Sequence, residues 1–150
     1  MSNVTIVKGN LFDAPKGSII CHAVNCKGVW GAGIAKAFKD RYPVAFIFYS
    51  DMCSANGAGL LGSCLLLPSK DHVIGCLFTS ANFGSKKDTV EEILDATREA
   101  IKDLIWQNTY PSSKPIYMCK INAGLFGVPW HLTQKILEEF PTQSFTVYEL

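Results

Sequence analysis

Short apolar runs at residues 4–7, 18–24, 64–67, 73–79, 116–121 and 144–148 alternate with stretches of helical character, and this alternation constrains the fold most. Strands separated by helices cannot all pair through tight hairpins, so they imply a largely parallel sheet covered on both faces. The helical signals are specific. Val90, Ile93, Leu94, Thr97, Ile101, Leu104 and Ile105 recur at helical spacing behind Thr89-Val-Glu-Glu92, a capping box. A second helix is expected from Pro129, with Thr133, Ile136, Leu137 and Phe140 inward and Pro141 as its stop. Residues 33–42 and 44–53 read as two more helices broken by Pro43, the second without a clean polar face. No linker, repeat or low-complexity tract divides the 150 residues, which suit one domain.

Several function classes lose support at once. No segment approaches the ~18 uninterrupted apolar residues of a membrane helix, and residues 1–8 lack the pattern of a secretory signal, so a soluble cytosolic or nuclear protein is expected. The six cysteines lie mostly inside apolar runs and read as buried thiols. Without a C-x-x-C pair, a zinc site built from Cys21, His22 and Cys26 is disfavoured, and neither metal nor cofactor is implied. A net charge of +1 with only two arginines, Arg41 and Arg98, argues against a nucleic-acid groove. The Lys86-Lys87 pair reads as a solvated turn.

In parallel α/β sheets, ligands bind beyond the carboxyl ends of the strands, where following helices present free N–H groups. Two segments meet that condition. Asn25-Cys-Lys-Gly-Val-Trp-Gly-Ala-Gly33 leaves one strand and opens a helix; Gly31 and Gly33 let the main chain approach a phosphate, although a plain tight turn would look similar. Ile121-Asn-Ala-Gly-Leu-Phe-Gly-Val-Pro129 repeats the arrangement with Gly124 and Gly127. Together they could hold a diphosphate through main-chain donors without arginine. Gly57-Ala-Gly-Leu-Leu-Gly62 matches the dinucleotide fingerprint in letters only, because it follows a helix and enters a strand. The signatures of cysteine phosphatases, aspartyl-phosphate enzymes and P-loop enzymes are absent.

At these two loops the sequence resembles the macrodomain family, whose members bind ADP-ribose. Asn25 to Ala35 is similar to the family's asparagine followed by a glycine-rich loop and helix, and Val7-Lys-Gly-Asn-Leu11 to its opening segment. Within the family, the chain most resembles the fungal ADP-ribose 1''-phosphate phosphatases. The shared style includes Trp30-Gly-x-Gly-Ile-Ala35, Leu77-Phe-Thr-Ser80, Gly124-x-Phe-Gly-Val-Pro-Trp130 and Phe145-Thr-Val-Tyr-x-Leu150. The resemblance implies a three-layer α/β/α domain with a six-stranded mixed, mostly parallel sheet, and a small-molecule ADP-ribose derivative as substrate. It implies that Gly9, Asn10 and Leu11 border the adenine and that Asn25 contacts the distal ribose. Gly31, Ala32, Gly33, Ile34 and Ala35 would approach the diphosphate and distal ribose. Ala123, Gly124, Leu125, Phe126 and Gly127 would wrap the diphosphate, Phe126 covering the distal ribose. Two positions depart from the pattern: Asn10 replaces an aspartate, removing charge assistance to the adenine amino group, and Ala123 replaces a serine or threonine.

Hydrolysis of a phosphate from the distal ribose needs an attacking water, stabilisation of phosphoryl charge, and a proton for the leaving oxygen. The glycine loops supply the second. His22 is the leading acid or base, close before Asn25 in the same strand, though a satisfied core histidine would look the same in sequence. His72, in a turn, and His131, in a first helical turn, are weaker candidates. Asn25, a neutral amide, is expected to position substrate or water. A phosphocysteine at Cys26 lacks any visible thiolate-stabilising partner. Two other functions stay open: a module that reads ADP-ribose without turnover, and an ADP-ribosyl-protein hydrolase. For the latter, the family branch's catalytic lysine and aspartate are replaced here by Ser80 and Phe126.

Overall fold

The computed structural model describes residues 2–150. Its strands are β1 (Val4–Lys8), β2 (Ile19–Asn25), β3 (Cys64–Pro68), β4 (Val73–Ser80), β5 (Ile116–Cys119) and β6 (Phe145–Glu149). The helices are α1 (Gly33–Arg41), α2 (Pro43–Asn56), α3 (Val90–Gln107) and α4 (Trp130–Glu138). The strands form one sheet in the order β1-β6-β5-β2-β4-β3. Every neighbouring pair is parallel except β3 with β4, which is antiparallel.

The three layers follow from alternation along the strands. Ile19 and Cys21 of β2 turn to one face, where they join Ile101 and Leu104 of α3 and Leu137 of α4. Ile20 and Val24 turn to the other, against Phe38 of α1 and Tyr49 of α2. Central strands buried on both faces explain the nearly continuous apolar sequence of β2 and β4. The β2–β4 pair packs so closely that a Cβ at Gly75 would stand 2.6 Å from the Cys21 sulfur.

Local signals largely hold. The capping box starts α3 as expected: Glu92 N–H donates to Thr89 Oγ1 at 3.2 Å, and Thr89 N–H donates to Glu92 Oε1 at 3.0 Å. Helix α4 begins one residue after the expected Pro129, which caps it. Strand β5 stops at Cys119 instead of 121, because the Ile121 N–H turns back onto the Cys119 carbonyl at 2.8 Å. On α2, Ala45, Tyr49 and Cys53 are buried while Val44, Ile47 and Phe48 face outward, which accounts for the missing polar face.

Because β1, β2, β4, β5 and β6 run in the same direction, their carboxyl ends lie along one edge of the sheet. The segments after β1, β2, β4 and β5 therefore gather there. Among the described residues no helix is long and apolar enough to cross a membrane.

Candidate active site

A cavity of about 860 Å³ opens at that edge, between the segments that follow β2, β4 and β5. Its volume falls in the range of roughly 300–1,000 Å³ that accommodates a drug-sized or nucleotide-sized ligand.

The first wall is the β2–α1 loop, and Asn25 folds it. Strand β2 shifts register against β4 between Val24 and Asn25, which ends the regular ladder there. The Asn25 Oδ1 then accepts the Lys27 N–H at 2.9 Å and the Val29 N–H at 3.3 Å, while its Nδ2 donates to the Val29 carbonyl at 2.8 Å. Tyr49 clamps the arrangement by donating its hydroxyl to the Asn25 carbonyl at 2.6 Å. One amide N–H of Asn25 remains for the cavity it lines. Helix α1 then starts at Gly33 with no side-chain cap. Gly33 has φ +60°, a left-handed conformation that a branched residue adopts only with strain. The N–H groups of Gly33, Ile34 and Ala35 have no partner among the described residues, and all three residues line the cavity.

The opposite wall is the β5–α4 loop, anchored by Asn122. Its side chain is buried: Oδ1 accepts from Thr79 Oγ1 at 2.8 Å, and Nδ2 donates to Thr97 Oγ1 at 3.0 Å and Thr133 Oγ1 at 3.3 Å. Asn122 takes φ +67°, and its carbonyl accepts the Val128 N–H at 2.9 Å, which closes the loop on itself. Gly124, Leu125 and Phe126 face the cavity above this anchor, their N–H groups unpaired among the described residues. Two sets of free main-chain donors thus face one space, an arrangement suited to an anion such as a diphosphate.

The family model described as Macro domain matches residues 21–137, more than half of the chain. The chain belongs to the macrodomain family. This macrodomain is 39% identical to a Saccharomyces cerevisiae protein named ADP-ribose 1''-phosphate phosphatase, the match covering all of both chains. A Neosartorya fischeri protein of the same name is 35% identical, with 92% of this chain and 90% of the relative covered. Among solved structures, Thermosipho africanus DarTG in complex with ADP-ribose superposes with a TM-score of 0.77 at 17% identity. That match covers 99% of this chain and 42% of the other. It shows the shared fold; the bound ADP-ribose is that protein's.

The macrodomain brings Asn25, Gly31, Ala32, Gly33, Ile34, Ala35, Gly124, Leu125 and Phe126 together around the cavity. Ala123 and Gly127 belong to the same loop but stand outside the lining. Gly9, Asn10 and Leu11 also lie outside it. Leu11 is buried in the apolar cluster against which Tyr117, Cys119 and Tyr148 pack, and the short turn it opens contacts β5 and β6, the former ending at the cavity's Cys119. The Asn10 Oδ1 accepts the Phe12 N–H at 2.9 Å and caps a short 3₁₀ turn at Leu11–Asp13.

His22 requires a correction. Side chains alternate along β2, so His22 points beneath the loop rather than into the cavity. Its ring is fully buried, stacked on Phe38 at 3.9 Å between centroids and edge-on to Trp30 at 4.7 Å. Burial lowers its pKa from 6.5 to about 3, so the imidazole is neutral at physiological pH. It cannot exchange a proton with a ligand from there. The zinc alternative fails for a related reason, since Cys21 faces the opposite side of the sheet. Cys26 is no better as a nucleophile, because burial pushes its thiol up to about 12. His72 is buried in a structural link, its Nε2 2.8 Å from the Ala14 carbonyl and its Nδ1 2.7 Å from the Tyr42 hydroxyl.

Sequence reasoning missed the third wall. Phe83, Gly84, Ser85 and Lys87 of the β4–α3 segment line the cavity, although the Lys86-Lys87 pair reads in sequence as solvated. That segment carries no glycine-rich pattern and ends in an ordinary capping box. Only its position after a central parallel strand could have drawn attention to it. Asn122 was equally hidden, since nothing local reveals that its amide meets threonines from three other elements.

Proposed function

We propose that this macrodomain hydrolyses ADP-ribose 1''-phosphate to ADP-ribose and inorganic phosphate. The observation that carries the reading is the 39% identity, over all of both chains, to a curated relative of that name. The cavity fits the substrate's demands. Main-chain donors of Gly33, Ile34 and Ala35 on one side and Gly124, Leu125 and Phe126 on the other would hold phosphate oxygens. The adenine would lie toward Gly9, Asn10 and Leu11, over β5 and β6, and the distal ribose toward Asn25 and Phe126.

In the reaction a water oxygen forms a bond to phosphorus, and the bond from phosphorus to the oxygen on the distal ribose breaks. The water's proton is lost, and the ribose oxygen leaves and takes up a proton. Asn25, braced by its loop, orients the water or the ribose, and the backbone donors stabilise charge on the transferring phosphoryl group. The leaving oxygen is part of a hemiacetal, a better leaving group than an ordinary alkoxide, which lowers the demand for a strong general acid.

One observation favours a second reading, a module that binds ADP-ribose without turnover. The cavity lining contains no histidine or carboxylate side chain among the described residues. Incubating the purified protein with ADP-ribose 1''-phosphate in ¹⁸O-water separates the two. The phosphatase reading expects inorganic phosphate that carries one ¹⁸O atom, the readout that counts because the anomeric oxygen of free ADP-ribose exchanges with water on its own. Unlabelled inorganic phosphate would mean cleavage on the carbon side, and intact substrate beside tight ADP-ribose binding would leave the reader module.

A further inference from the structure

Three features of the β4–α3 segment converge on one side chain. First, Lys87 lines the cavity, and among the described residues one other cationic side chain does so, Lys120. Lys120 is already committed, its ammonium 2.6 Å from the Glu149 carboxylate. No carboxylate or hydrogen-bond acceptor occupies the Lys87 ammonium among the described residues, so it is the one uncompensated positive charge on the cavity wall.

Second, the backbone on both sides of Lys87 is pinned while its side chain is left free. The Asp88 Oδ2 accepts the Ala81 N–H at 2.8 Å, the Asp88 N–H donates to Ser80 Oγ at 3.1 Å, and Ser80 Oγ donates to the Asn82 carbonyl at 2.7 Å. The capping box holds Thr89 immediately beyond. Asp88 and Glu92 thus spend their carboxylate contacts on the backbone rather than on Lys87. The lysine stem leans across to the second glycine loop: a Cβ built on Gly127 would lie 3.7 Å from Lys87 Cε.

Third, the sheet order fixes which end of the ligand Lys87 faces. Gly9 to Leu11 sits over β5 and β6, whereas Lys87 follows β4, and the order β6-β5-β2-β4 puts two to three strand spacings between them. At roughly 4.8 Å each, that separation is on the order of 10–14 Å. An extended nucleotide with its base near Leu11 and its diphosphate between the glycine loops therefore presents its far end to Lys87.

We propose that Lys87 is the residue that recognises the terminal phosphate, so that it separates the phosphorylated substrate from the ADP-ribose product. This rests on the orientation given above for the phosphatase reading. A terminal phosphomonoester adds up to two negative charges at that end, and a charge-assisted contact from a lone ammonium favours it over the bare hydroxyl of ADP-ribose. Product lacking the phosphate loses that contact and departs.

The test compares Lys87→Gln, Lys87→Arg and the neighbouring control Lys86→Gln. Phosphate release from ADP-ribose 1''-phosphate gives kcat and KM, and calorimetry gives the ADP-ribose Kd on the same preparations. Lys87→Gln should lower kcat/KM about tenfold or more while moving the ADP-ribose Kd less than about twofold. Lys87→Arg should recover most of the loss, and Lys86→Gln should match the wild type. Equal losses for substrate and product would assign Lys87 to the diphosphate or to the fold and overturn the proposal, as would an unchanged kcat/KM. If the wild type releases no phosphate, the phosphatase reading fails separately. Direct titration of ADP-ribose 1''-phosphate into wild type and Lys87→Gln then decides the recognition role by the same selective loss of affinity.

Discussion

His22 offers a quantitative handle on the interior beneath the site. Its imidazole is enclosed by Phe38 and Trp30, and burial holds its pKa near 3 against 6.5 in an unfolded chain. Between those values the unfolded state binds a proton that the folded state refuses, so stability rises with pH there and is lost as pH falls below 6.5. Integrating that linkage gives a loss of about 2 kcal/mol from His22 alone between pH 7 and pH 5. The window stays above the range in which Glu92, Glu138, Glu139 and Glu149, whose carboxyls are held low by hydrogen bonds and neighbouring cations, would begin to titrate. Urea unfolding of wild type and His22→Leu at several pH values across this interval reads the effect directly. Leucine is close in volume and cannot titrate, so the variant should lose about 2 kcal/mol less than wild type over the same interval, whatever its stability at pH 7. It should also keep phosphate release once its folded fraction is accounted for. Parallel pH profiles for the two proteins would refute the buried neutral imidazole. A well-folded His22→Leu with no turnover would restore the histidine to the mechanism.

Three further expectations concern the walls of the cavity and the sheet below. Gly33→Val forces a β-branched residue to φ +60° where the unpaired α1 amides border the cavity, and calorimetry should show ADP-ribose affinity falling at least about tenfold with far-UV circular dichroism unchanged. Asn122→Ala leaves three buried threonine hydroxyls without their shared partner. It should cost about 2–3 kcal/mol in urea unfolding and weaken ADP-ribose binding as the second loop loses its anchor. ADP-ribose affinity should change only modestly between low and physiological salt if main-chain dipoles meet the diphosphate as proposed; a steep salt dependence in the same titrations would point to lysine side chains instead.

The sequence reveals the frame more fully than the working residues. All six strand regions and all four helices were legible because each carries its own periodicity, cap or proline, and these local signals agree with the tertiary packing. The two glycine loops were legible for a similar reason, as strand–loop–helix junctions with glycines at the turn. What escaped depends on relations across the fold. Whether His22 faced the cavity or the core was decided by the phase of β2 relative to the loop, and a single residue's shift reverses that outcome. Lys87 becomes part of the site because β4 pairs next to β2, a neighbour relation that no local pattern encodes. Asn25 was recognised as important, but its consumption by Lys27, Val29 and Tyr49 is visible only in three dimensions.

The central claim is that the cavity between the glycine loops is the place where the phosphate is removed. It is tested most directly by measuring how ADP-ribose inhibits phosphate release from ADP-ribose 1''-phosphate. One shared cavity predicts competitive inhibition, with an inhibition constant that matches the calorimetric Kd of ADP-ribose for the same wild-type protein. Non-competitive inhibition, or an inhibition constant far from that Kd, would place hydrolysis elsewhere and contradict the account.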